Sequence, residues 1–179
     1  LLAGCSRPAP VVSPPEPEAD GIPPPRLVTR PSPDEALARG VASLLNQQSA
    51  DGAWRSDVVG PFKDGTALTP LVLCALQDAA TAGLDPTGGV EARAKAAAWL
   101  AKFAMPDGTI DPGPDGLEFP VYTAALSVRA LSHPEHAAHR PARDAWLMFL
   151  LDRQLTEKHG WKPGDKPYGG WGYCRTIPR

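Results

Sequence analysis

Cysteine is scarce: three residues, at positions 5, 74 and 174, give neither a disulfide framework nor a metal-binding spacing. Beyond Cys5 the chain also has no apolar run long enough to span a bilayer as a helix. Positive charge is not in excess, with 18 Lys and Arg against 20 Asp and Glu and a net charge of −2. That balance argues against a basic nucleic-acid surface, and no nucleic-acid partner is expected. Proline is plentiful, at 22 of 179 residues, but unevenly placed, crowding the segment from Ser6 to Pro33. The unevenness separates a linker from a globular part, and the length suits one domain with a tail.

The chain has no initiator Met and opens Leu1-Leu2-Ala3-Gly4-Cys5. This pentapeptide resembles the bacterial lipobox, which implies cleavage before Cys5 and diacylglycerol on its thiol. The rest of the signal peptide is then expected upstream of Leu1. Residues 1–5 are read as the end of that peptide with the lipidated Cys5, and residues 6–33 as an extended, disordered tether. Pro14-Pro15 and Pro23-Pro24-Pro25 give the tether polyproline character. The implied location is outside the cytoplasm, anchored by lipid to the cell membrane or outer membrane of a bacterium.

From residue 34 onward the pattern is helical. Leu37, Val41, Leu44, Leu45 and Gln48 share one helix face, and Asp51-Gly52 stops the helix just before Trp54. Ser32, Pro33, Asp34 and Glu35 supply the start signals. A second helix is expected from Thr66–Pro70 to Ala82, apolar almost all round and therefore buried on both sides, with Cys74 as a small core residue. Further helices are expected at 90–104, from Phe119-Pro120 to Ser132, and at 143–155. The segment Arg39, Gly40, Leu44, Gln48, Gly52 and Trp54 resembles the QW repeat of triterpene cyclases, with Ser43 where an aromatic is usual. Lys95, Ala96, Trp99, Leu100 and Gly108 repeat the spacing, with Ala104 for Gln and Ile110 for Trp. In a looser third copy Phe149, Leu150 and Gln154 fit, then Gly160 and Trp161 arrive late. Gly169-Gly170-Trp171 resembles the Gly-Gly-aromatic turn common before inner helices in the prenyltransferase and cyclase families. The Gln positions 48, 104 and 154 stand 56 and 50 residues apart, a period that two helices fill.

The resemblance implies an all-α fold: an α/α toroid of outer and inner helices over residues 34–179. Gln48, Gly52, Trp54, Trp99, Gly108, Gln154, Trp161 and Trp171 would be its structural motif residues. A full ring needs more helix pairs than these residues supply, so the domain is expected to continue past Arg179. Tyr122 and Arg129 lie on the second inner helix, where they either face a cavity or, for Arg129, reach solvent. His133, His136 and His139 recur every third residue between Pro134 and Pro141, an exposed connection rather than a zinc site. Asp107, Asp111 and Asp115 sit in a Gly- and Pro-rich loop whose spacing matches no calcium motif. Neither metal nor cofactor is expected.

Squalene–hopene cyclases protonate a polyene with an Asp-X-Asp-Asp motif, which this sequence lacks; the zinc triad of protein prenyltransferases cannot be placed either. No residue is assigned a catalytic role. The leading expectation is a membrane-anchored repeat lipoprotein that binds a protein partner or a hydrophobic isoprenoid ligand, or that serves as an assembly surface. The alternative is a terpene cyclase- or prenyltransferase-like enzyme on isoprenoid lipids, with its catalytic half outside these residues. Fold alone does not choose between them.

Overall fold

The computed structural model describes residues 30–178. The lipobox-like segment with Cys5, and all of the tether up to residue 29, lie outside the described residues. What is described is all-α: α1 (Pro33–Asn46), α2 (Leu68–Thr81), α3 (Gly89–Ala101), α4 (Pro120–Leu131) and α5 (Arg140–Asp152), with short 3-10 turns at Gly60–Phe62, Pro134–His139 and Glu157–His159. Among the described residues there is no β-strand, only the isolated bridges Ala104–Ile110 and Gln154–Trp171.

Each helix begins where local chemistry lets it. Ser32 caps α1: its hydroxyl accepts from the Glu35 amide at 3.2 Å, and the Glu35 carboxylate accepts from the Ser32 amide at 2.8 Å. Pro33 has no N–H, so this exchange satisfies two of the three free amides of the helix start. Pro120 sits in the first turn of α4, where a missing N–H costs nothing. Pro141 likewise lies in the first turn of α5, so that helix starts three residues before its expected Arg143. The histidine segment ahead of it is a 3-10 turn kinked at His136, whose φ and ψ of −107° and 22° are not helical. The rings of His133, His136 and His139 lie with successive centroids 6.2 and 6.5 Å apart. His136 is buried there, not exposed as expected.

Helices α2 and α4 pack on each other; α2 also packs on α1 and α3, and α4 on α3 and α5. The Gln77 amide of α2 donates to the Ala130 carbonyl of α4 at 2.9 Å, inside the interface. The core runs from Trp54 through Leu73, Leu76 and Leu100 to Leu131 and Trp146. An aromatic chain of Trp99, Phe103, Trp146 and Phe149 links α3 to α5, with successive centroids 4.9, 5.8 and 6.0 Å apart. The expectation that α2 is buried all round is corrected: Leu71, Ala75 and Asp78 form an open stripe spaced four and three residues apart. Cys74, one residue off that stripe, is buried, and burial pushes its thiol pKa up.

Candidate functional site

Three times the chain leaves an odd-numbered helix and makes the same turn. In each, the residue after the Gln position donates its amide to a carbonyl across the turn: Ser49 to Ala53 at 2.9 Å, Met105 to Thr109 at 2.8 Å, Leu155 to Gly170 at 2.9 Å. Just before each of those acceptors stands a glycine at positive φ, +98° at Gly52, +82° at Gly108 and +80° at Gly169. A side chain there would crowd its own carbonyl, so the turn requires glycine. The third turn is therefore closed by Gly169 and Trp171, not by Gly160 and Trp161. Residues 156–168 form an inserted loop, and the Trp161 indole lies elsewhere, donating to the Pro178 carbonyl at 3.0 Å.

Side chains clamp these turns. The Gln48 amide donates to the Gly52 carbonyl at 2.9 Å and, across to α3, to the Ala92 carbonyl at 2.8 Å. The Gln154 amide donates to the Gly169 carbonyl at 2.8 Å in the same way. Indole N–H groups satisfy the carbonyl four residues before each Gln position: Trp54 reaches Leu44 at 2.7 Å and Trp171 reaches Leu150 at 2.7 Å. The second copy has Ile110 instead of Trp. Its equivalent carbonyl, Leu100, accepts at 3.1 Å from Trp146, which enters from α5 and is fully buried. Trp146 falls within the helix expected at 143–155. The signal for its role was present: a Trp at the small-residue position of the third copy, set against the Trp missing from the second.

Ala104 has no such substitute. In the first seam the clamp holds turn and helix so close that a Cβ on Gly52 would lie 2.6 Å from the Lys95 carbonyl oxygen. At Gly108 a Cβ would meet nothing within 4 Å. Two clefts flank Gly108 instead. One, of about 380 Å³, is lined by Ala104, Met105, Gly108, His139 and Ala142. The other, of about 480 Å³, is lined by Gly108, Ile110, Ala145, Met148, Phe149 and Leu151, with the Asp152–Lys158 ion pair at its edge. Met148 and Leu151 are 62 % and 46 % exposed, so the second cleft is a mostly apolar surface open to a visitor. This seam is the candidate site.

The other candidate residues are engaged differently. Arg129 forms an ion pair with Asp78 of α2 at 2.8 Å on an exposed face. Tyr122 is half-buried two turns away, its phenol pKa raised by burial and then by neighbouring Tyr173. Neither lines the two clefts. Trp99 carries no turn clamp: its ring lies 5.8 Å beneath the Arg55 guanidinium. Arg55 in turn grips Asp51 at 2.6 and 2.9 Å and holds that carboxyl well below the usual carboxylate range.

A buried guanidinium went unnoticed in the sequence. Arg93 of α3, 4 % exposed, holds Asp85 through both terminal nitrogens at 2.7 and 3.1 Å and Glu135 through Nε at 3.0 Å. Glu135 Oε1 also lies 3.2 Å from His136 Nε2 and 3.5 Å from His133 Nδ1, outside hydrogen-bond geometry in both cases. Burial lowers the His136 pKa more than the Glu135 charge raises it, and the nearby His133, His139 and Arg93 lower it further. Asp107 and Asp111 are spent on their own turns, accepting from the Thr109 and Gly113 amides at 3.0 and 2.9 Å. Among the described residues no group of three or more His, Cys, Asp or Glu side chains could hold a metal ion. No helix among them is long and apolar enough to cross a membrane. No protein family, curated protein or solved structure matches the chain.

Proposed function

We propose that this chain is a binding scaffold: part of an α/α toroid of the prenyltransferase and squalene-cyclase repeat kind, held at a membrane surface by lipid on Cys5. The observation that carries the reading is the contrast between the two seams. The first is sealed by Gln48; the second, built on the same turn, stands open beside exposed Met148 and Leu151. A repeat fold that closes one seam and leaves the next open has a place for a guest. Half-buried Gln48 and buried Gln77 and Arg93 are consumed in holding elements of the fold together. The threefold turn and its alternating helices support the toroid, and the Leu-Leu-Ala-Gly-Cys5 opening supports the anchor.

Two experiments test this. A photo-activatable residue at Met148 of the full chain, expressed behind a lipoprotein leader, should give one discrete adduct in the cell envelope. The same group at Val58, which is 94 % exposed and far from the seam in sequence, should give none. Labelled fatty acid should enter the chain and be lost in Cys5→Ser. Conversion of squalene or of an isoprenyl diphosphate by the purified chain would instead make it an enzyme and overturn the scaffold reading.

A further inference from the structure

The second seam has a template for its guest inside the same molecule. At the first seam a carboxamide sits between two backbone carbonyls, those of Gly52 and Ala92, and donates to both at 2.9 and 2.8 Å. Counting from the Gln positions, Gly52 corresponds to Gly108 and Ala92 to Ala142, since each alanine lies twelve residues before the Gln position of its own helix. Ala104, Gly108 and Ala142 all line the smaller cleft. The side chain that would fill it stops at Cβ, and among the described residues no donor reaches the Gly108 carbonyl. Trp146 repairs the missing indole of this copy, whereas nothing repairs the missing amide.

We propose that the second seam docks a protein partner through a glutamine side chain with an apolar neighbour. The partner's carboxamide enters the 380 Å³ cleft and donates to the Gly108 carbonyl and the Ala142 backbone, as Gln48 does at the first seam. The adjoining side chain lies on Met148, Phe149 and Ile110 in the 480 Å³ cleft, which shares Gly108 as its wall. A glutamine is selected over a glutamate because only the amide carries N–H donors for two carbonyl acceptors. It is selected over leucine because a purely apolar side chain would strip water from the Gly108 carbonyl and leave it unpaired. This inference rests on the scaffold reading and names the chemistry of its partner.

The test uses the full chain and a synthetic peptide, acetyl-Ala-Ala-Gln-Leu-Ala-amide, followed by amide chemical shifts. The expected result is saturable shifts confined to residues around Gly108, Ala142 and Met148, with a Kd tighter than about 1 mM. Peptides with Glu or Leu in place of Gln should bind at least about tenfold more weakly, roughly the discrimination expected when buried polar groups are left unpaired. The variant A104Q should fill the cleft from within and lose the peptide, while its circular dichroism stays that of the parent chain. Equal binding of all three peptides, shifts elsewhere on the surface, or undiminished binding by A104Q would overturn the proposal. The peptide comparison stands alone if A104Q folds poorly. A discrete Met148 adduct together with a silent peptide titration would overturn this inference and leave the scaffold reading standing; loss of the adduct would remove the scaffold reading itself.

Discussion

Single side chains carry unequal weight here: among the buried polar groups Gln77 and Arg93 join helices, whereas the Thr123 and Ser127 hydroxyls and His136 Nε2 have no hydrogen-bond partner. His136 is held neutral by burial, so its folded pKa lies below the ordinary imidazole value of 6.5. A base depressed in this way favours folding above its unfolded pKa and opposes it once protons bind the unfolded chain more readily. Stability is therefore fully present above about pH 6.5 and declines as pH falls below it. The urea midpoint should drop between pH 7.5 and 5.5, and the drop should shrink in His136→Gln; an unchanged profile in that variant would assign the effect to other groups. Trp146 is the second test. Trp146→Phe keeps most of the ring but orphans the Leu100 carbonyl in the core, and denaturant unfolding should show a loss of roughly 1–3 kcal/mol. A loss no larger than that from a surface aromatic would mean the indole bond is dispensable.

At the level of elements, the recurring turn explains why helices and loops alternate as they do, and why two copies of one motif differ in sensitivity. Both Gly52 and Gly108 hold positive φ, so alanine at either is strained by about 1–2 kcal/mol. At Gly52 the new methyl also meets the α3 backbone at Lys95, which cannot move aside as a flexible side chain would. At Gly108 the same methyl enters open space. Gly52→Ala should thus cost clearly more than Gly108→Ala in chemical denaturation, and equal losses would show the first seam to be as loose as the second. The period and the glycines of this motif were legible in the sequence, because a stop after an amphipathic helix has local causes. The third copy was misjudged because Gly160 also precedes a Trp and stands close to the expected spacing. Only the geometry shows that residues 156–168 stand before the true glycine where the first turn has only Ala50 and Asp51.

For the whole molecule, the repeat makes stability uneven along the chain. Helices α2 to α5 share an aromatic and aliphatic core, whereas Val41 is the one buried residue of α1, which packs chiefly on α2 among the helices. In a linear array of units, an end unit opens before the interior does. Hydrogen exchange should find the amides of α1 protected less than those of α2 and α4, by at least about tenfold in exchange rate. Equal protection would mean that a single cooperative unit includes α1. The candidate seam lies within the better-protected part, so a guest there meets a preformed surface.

What the sequence determined by itself is everything with a local cause: five helical segments, the Ser32-Pro33 and Pro120 starts, the glycine stops, and a period of fifty-odd residues. Those follow from side-chain spacing and backbone sterics within a few residues. What the tertiary structure decided is which side chain answers which carbonyl. Trp146 completes the turn of the preceding copy, Arg93 ties Asp85 to Glu135, and α2 keeps an open stripe because nothing described packs on it. Above all, Ala104 stands in the sequence only as a missing Gln, and it becomes a gap only when α5 is laid beside Gly108. Hydrogen bonds and cavities of that kind join residues far apart in the chain, so no local pattern can encode them.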